Sequence, residues 1–171
     1  MFSCVDHCRS AARSADRPVR ALRRHDVVVR RALRVRQVAN WANLSTPLGL
    51  LVARLGRART ERGPDGLVLA RDYRSRVPRA PAFTVGNVVL VRVDDAGLAR
   101  RPRLLVHESR HATQYALCLG PLLLPLYGLA ALWSWLRVGD PATYNVFERL
   151  AGLEDGGYRH PGSEVHDRRH G

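Results

Sequence analysis

The stretch Leu104–Ala116, LLVHESRHATQYA, sets His107 and His111 four positions apart, with Glu108 directly after the first histidine. An α-helix turns about 100° per residue, so on a helix the two imidazoles would lie about 40° apart, one turn from each other on one face. That arrangement suits joint coordination of one Zn²⁺ by two ring nitrogens at roughly 2.0–2.1 Å each. Glu108, offset by about 100°, would stand beside such an ion rather than on it. A carboxylate there can accept a proton from water that the metal has acidified towards a pKa of about 7. The pattern H-E-x-x-H therefore points to metal-assisted hydrolysis, with Glu108 as the base.

A catalytic zinc needs a third protein ligand and keeps its fourth position open. No histidine follows His111 closely, so the ligand is expected further along, and Glu148 in NVFERLAG is the best candidate. Around its helix Val146, Leu150 and Leu153 form one apolar stripe. Glu148 is left on another face with Tyr144, Ala151, Gly152 and Asp155, where small residues permit close approach to the HESRH helix. Glu154, Asp155 and His160 are the other acidic or imidazole candidates. The competing interpretation is a solvated glutamate and two histidines engaged in ordinary hydrogen bonds.

At these residues the chain resembles the gluzincin clan of zinc metallopeptidases, and most closely its small single-domain members. His107, Glu108, His111 and Gln114 match an H-E-x-x-H-x-x-Q variant, and Asn145, Phe147 and Glu148 are similar to a following N-x-F-E. The resemblance covers about residues 66–158. It implies peptide-bond hydrolysis, with His107, His111 and Glu148 holding zinc and Glu108 as catalytic base. Many members carry Asp four residues after the glutamate ligand, to orient a ligand histidine; here that position is Gly152. Gln114, Tyr144, Asn145 and Tyr158 are the candidates for supporting the ligands or stabilising an oxyanion.

The elements that must position these groups suggest an α+β fold. GLVLARDY (66–73) and AFTVGNVVLVRV (82–93) are rich in β-branched and aromatic residues and predict strands of a short antiparallel sheet. Gly86-Asn87 inside the second run predicts a bulge or a tight turn. RARTERGPDG (57–66) is expected to be a loop. A helix should start near Arg101-Pro102 and run to Cys118 before Gly120-Pro121 stops it. A second should start with Asp140 as N-cap and Pro141 as first helical residue, ending by Gly156-Gly157. VANWANLSTPLGLLVARLG (38–56) suits a packed or interfacial segment, being short and polar for a membrane span. Residues 1–36 are expected to form a flexible basic arm, 37–158 one metallopeptidase-like domain, and 159–171 a disordered His/Arg-rich tail.

Between the two halves of the proposed site lies YALCLGPLLLPLYGLAALWSWL, residues 115–136, without a charge. It is long enough for a transmembrane helix, since ~20 residues at about 1.5 Å each cross a bilayer core. A single crossing would put the histidines and Glu148 on opposite sides of the membrane, where they could not share a metal. Gly120-Pro121 and Pro125 favour a broken segment, buried as core or dipping into the membrane and returning. Tyr127, Trp133 and Trp135 fit either an interfacial edge or a core.

Charge and cysteines narrow the remaining classes. The net charge is +13, yet all 28 basic residues are arginine, a usage that looks like coding bias rather than selection for phosphate binding. No nucleic-acid-binding module accompanies the charge, so nucleic acid is not expected as the main partner. Cys4, Cys8 and Cys118 cannot build a disulfide framework. Cys4, His7 and Cys8 lack a second ligand pair for a zinc knuckle. The first 36 residues hold ten arginines and three aspartates and show no clear signal peptide. The expected protein is a zinc-dependent metallopeptidase, cytoplasmic or membrane-associated, acting on a peptide or protein and in contact with a membrane surface. The alternative is a non-catalytic membrane-associated or structural protein, an inactive metallopeptidase relative.

Overall fold

The computed structural model describes residues 26–75 and 80–158. Expectations for the start of the basic arm, for Cys4, His7 and Cys8, and for the tail from 159 onward lie outside them. The chain divides between Val35 and Arg36 into two units. In the first, residues 26–35 are helical and almost wholly exposed. The second opens with helical residues 36–42; the helical run 26–42 is α1. Then follow α2 (Ser45–Leu55), β1 (Arg59–Arg62), β2 (Val68–Arg71), β3 (Ala82–Val85), β4 (Val88–Val91), α3 (Asp95–Ala99), α4 (Leu104–Leu117), α5 (Leu123–Val138) and α6 (Val146–Ala151).

The fold is α+β, built on one four-stranded sheet of order β1-β2-β4-β3. Its centre is β4, Val-Val-Leu-Val, buried at every position. Successive strand side chains point to opposite faces. Val88 and Leu90 accordingly join Ala53 of α2 and Tyr115 in one apolar cluster, while Val89 and Val91 join Leu104 and Ala112 of α4 in another. A strand covered on both faces reads as a continuous apolar run. Gly86-Asn87 is a tight turn with φ +63° at Gly86. A Cβ there would lie 2.4 Å from the Thr46 backbone nitrogen, so the turn is pressed against the start of α2.

Two expectations are corrected. The sheet is mixed, because β4 turns back antiparallel to β3 and then takes β2 on its other edge in parallel. Residues 59–62, expected as loop, form edge strand β1, antiparallel to β2 and exposed at all four positions. Arg-Thr-Glu-Arg has no apolar alternation to announce it; backbone pairing with β2 and the ion pair between Glu61 and Arg71 place it.

Buried asparagines hold the helices to the sheet. Asn40 of α1 donates to Asn87 Oδ1 at 2.9 Å and to the Ala112 carbonyl of α4 at 2.8 Å. Asn43 donates to the Tyr115 carbonyl at 3.2 Å. Arg36, also buried, donates to Ser109 Oγ at 2.7 Å and the Asp65 carbonyl at 2.6 Å. Helix α4 is thus tied at Ser109, Ala112 and Tyr115.

The apolar segment is broken as expected, into the end of α4, a short 3₁₀ turn at Gly120–Leu122, and α5. It is not buried core: on α5 only Leu123 and Ser134 are buried. Gly120–Val138 is long and apolar enough to cross a membrane by length and composition alone. The second predicted helix is also shorter than expected. Residues 141–144 are a turn, in which Asp140 Oδ2 accepts from the Thr143 amide at 2.8 Å, and Asn145 caps α6 by accepting from the Phe147 amide at 3.0 Å.

Asn40→Ala should destabilise the fold by roughly 1–3 kcal/mol, because Asn87 Oδ1 and the Ala112 carbonyl lose a buried donor. Chemical denaturation measures it, and a change indistinguishable from zero would remove Asn40 as the clamp.

Candidate metal centre

Helix α4 buries its polar side. His107, Glu108, His111 and Gln114 are all buried, together with Leu104, Ala112 and Tyr115. The face carrying the motif lies against β3 and α6. Gly156 lets the chain after α6 close over the first imidazole; a Cβ at that position would lie 2.6 Å from His107 Cε1.

The imidazole orientations follow from their outer nitrogens. His107 Nδ1 lies 2.9 Å from the Gly152 carbonyl oxygen. A carbonyl only accepts, so the ring carries its proton on Nδ1. His111 Nδ1 lies 2.9 Å from Gln114 Oε1. The Gln114 amide cannot be the other way round, because its Nε2 donates to the Phe147 carbonyl at 2.8 Å. Both neutral rings therefore present a bare Nε2 lone pair, and the two Nε2 atoms face each other at 3.0 Å.

Glu148 completes the group. Its Oε2 lies 3.3 Å from His107 Nε2 and its Oε1 3.5 Å from His111 Nε2. Tyr127 of α5 donates to Oε1, while Oε2 is buried without a hydrogen-bond donor. Burial alone would raise the Glu148 pKa, but the histidines and Tyr127 outweigh it and hold the carboxyl well below the usual range. Burial likewise disfavours charge on His111, yet Glu148 and Glu108 outweigh it and raise its proton affinity. With the rings in their neutral Nδ1–H form, two buried lone-pair nitrogens and the Glu148 carboxylate converge.

That donor set fits a metal ion. The three ligand atoms lie within 4.8 Å of one another. Tetrahedral zinc with bonds of roughly 2.0–2.1 Å spaces its ligand atoms by about 3.3 Å, close to the separations here. The orphaned Oε2 and the facing Nε2 pair are the atoms such an ion would satisfy.

Glu108 stands beside this group, as the helical offset predicts. Thr84 of β3 donates to its Oε2 at 2.7 Å. Burial raises the Glu108 pKa, against the opposing pull of His111, Thr84 and His107. Glu108, His107, His111 and Glu148 line one cavity of about 270 Å³ with Phe83, Tyr127 and Tyr158. Burial pushes the phenols of Tyr127 and Tyr158 up, so both remain hydrogen-bond donors.

The remaining predicted residues take distinct places. Gln114 orients His111. Asn145 is buried as the α6 cap and positions Glu148 through the backbone. Tyr158 lines the cavity, with its ring centroid 6.2 Å from that of His107. Tyr144 is on the surface, under the Arg137 guanidinium at 5.4 Å, and is not among the cavity-lining residues. Glu154 is exposed, and Asp155 is paired with Arg110 at 2.6 Å; neither is in the cluster with the histidines. The histidine-orienting role that the resemblance gives to a side chain four residues after Glu148 falls here to the backbone carbonyl of Gly152.

The apolar stripe is only partly buried. Val146 and Leu150 are 51% and 69% exposed, whereas Glu148 and Ala151 are buried. Helix α6 turns its carboxylate inward and two of its three large apolar side chains outward. Thr84 and Tyr127 were not anticipated. Nothing distinguishes Thr84 within a β-branched run, but Tyr127 bears the one phenol in residues 116–138, a polar tip that needs a partner when its ring is covered.

No protein-family model, curated protein or solved structure matches this chain. The site is therefore interpreted from its own geometry.

In metal-free protein each ring, when neutral, should be the Nδ1–H tautomer. Long-range ¹H–¹⁵N spectra measure this. An Nε2–H form on either ring would show that it is not held by Gly152 or Gln114.

Proposed function

We propose that this chain is a zinc-dependent metallopeptidase that hydrolyses a peptide or related amide bond, working in the cytoplasm or at a membrane. The single observation carrying this reading is the convergence of His107 Nε2, His111 Nε2 and the Glu148 carboxylate within 3.0–3.5 Å, beside Glu108 in the same cavity. Two imidazoles and one carboxylate are a donor set suited to zinc with an open fourth position. Bound there, the ion supplies Lewis acidity, polarising a carbonyl and acidifying water near neutral pH.

The protein side of the reaction rests on three groups. Glu108 accepts the proton of the attacking water and returns it to the leaving amine; burial raises its proton affinity, which suits a group that must take up and hand on a proton. Thr84 holds the Glu108 carboxylate so that it does not swing away from the cavity. Tyr158, kept protonated, is the donor available for negative charge developing on the carbonyl oxygen. Edge strand β3, which lines the cavity through Ala82, Phe83, Thr84 and Val85, offers unpaired backbone groups along which an extended peptide can lie.

The second reading is a non-catalytic membrane-associated protein. It draws support from the exposed leucines and tryptophans of α5, but gives no reason for a buried, lone-pair-facing histidine pair.

Purified protein should carry about one equivalent of zinc, lost in His107→Ala and in Glu148→Ala. Clearly sub-stoichiometric zinc after loading would end the proposal. Glu108→Gln should retain the metal while hydrolysis falls by about 10²–10⁴-fold; unchanged turnover would remove Glu108 as base.

Metal affinity should fall on acidification. Zinc needs His111 unprotonated, and its neighbours raise the proton affinity of that ring in the metal-free protein. Proton competition should therefore set in above the ordinary imidazole value, weakening binding by about tenfold per pH unit below the His111 pKa. Calorimetric titration across pH checks this, and affinity flat between about pH 5 and 8 would contradict it.

A further inference from the structure

Helix α5 exposes more apolar surface than it buries. Leu123, Tyr127, Ala130, Ala131 and Ser134 turn inward; at about 100° per residue they occupy an arc of about 100°. Leu124, Leu129, Leu132, Trp133, Trp135 and Leu136 are each 46% exposed or more and spread over the rest of the circumference. Val146 and Leu150 of α6 are exposed as well. Monomeric soluble proteins rarely leave contiguous apolar patches beyond a few hundred Å² in water.

What covers this surface is indicated by its shape and its charge. A partner helix contacts a stripe of about 100°, whereas the uncovered arc on α5 is about twice as wide. A fluid apolar medium wets such an arc completely. Residues 116–138 contain a single charged side chain, Arg137. Its guanidinium lies 5.8 Å from the Trp133 ring and 5.4 Å from that of Tyr144. Exposed arginine on α6, Arg149, adds a second positive group. Tryptophan, tyrosine and arginine at the end of an apolar helix match the headgroup level of a bilayer, and positive charge favours anionic lipid. The net charge of +13 acts in the same direction.

We infer that the outer face of α5, with Val146 and Leu150, docks the protein onto an anionic lipid bilayer, α5 lying in the membrane surface rather than crossing it. Tyr127, midway along α5, donates to Glu148, so one side of the helix stays on the protein. Leu124 is both 46% exposed and part of the cavity wall. Docking therefore brings the cavity mouth to the lipid surface, which on the hydrolytic reading above suits peptide segments close to a membrane. The docking itself does not depend on hydrolysis.

Flotation of the full chain with phosphatidylcholine vesicles, with and without phosphatidylserine, tests this. Binding is expected on phosphatidylserine-containing vesicles, with tryptophan emission quenched by brominated acyl chains. Trp133→Phe/Trp135→Phe, which leaves only Trp41, should lose most of that quenching. Leu129→Glu/Leu132→Glu should weaken vesicle binding by about tenfold or more while zinc content and circular dichroism match the parent. Three results would overturn the inference: no flotation with either lipid, equal flotation with both, or a stable dimer that does not float and is split by the double glutamate variant. The quenching arm uses the unmodified chain, so it stands even if the charged variant misfolds.

Discussion

Two imidazole lone pairs aimed at each other across 3.0 Å, with a buried carboxylate alongside, are the constraint around which this fold is arranged. Left to themselves such groups repel, and burial deprives them of water's screening. They stay in place because each is held from behind. Gly152 and Gln114 occupy the Nδ1 atoms, Tyr127 holds one oxygen of Glu148, and Thr84 holds Glu108. The backing groups come from β3, α4, α5 and the turn after α6, so the site joins four segments of the domain. The asparagine contacts that tie α4 to α1 and to the β3–β4 turn serve the same end, since a sliding α4 would separate the two histidines from Glu148.

The parts legible in the sequence were those in which a local rule and the tertiary environment agree. The HESRH spacing needs only a helix to bring its histidines together, and the run from Leu104 to Leu117 forms one. The strand runs around 68–71 and 82–91 are apolar because the sheet is covered on both faces, and the Gly86-Asn87 turn announces its hairpin. What stayed hidden was set by partners distant in the chain. Strand β1 is composed of exposed Arg, Thr, Glu and Arg, and exists through pairing with β2. The parallel pairing of β2 with β4 is a matter of which edge remains free. Asp140 caps only the turn at 141–144, and Asn145 caps the helix that follows, so α6 starts later than the Asp140-Pro141 signal suggests.

At α6 the apolar residues Val146, Leu150 and Leu153 would face the core if periodicity alone decided. Only Leu153 is buried, and the face that turns inward carries Glu148. Helix α5 likewise turns Leu123, Tyr127, two alanines and Ser134 inward and leaves leucine and tryptophan exposed. Two neighbouring helices thus carry exposed apolar side chains, the surface on which the lipid-docking inference rests.

That pattern also resolves the conflict between a membrane segment and a site divided by it. If α5 crossed a bilayer, His107 and His111 on α4 would be parted from Glu148 on α6 by about 30 Å of hydrocarbon. The hydrogen bond from Tyr127 to Glu148, and the contact of the Tyr127 ring with His111 at 6.2 Å between centroids, require the middle of α5 to lie against both helices. A helix held at its midpoint against the proposed metal ligands can present one side to lipid and the other to the site, the arrangement in which the proposed site stays whole.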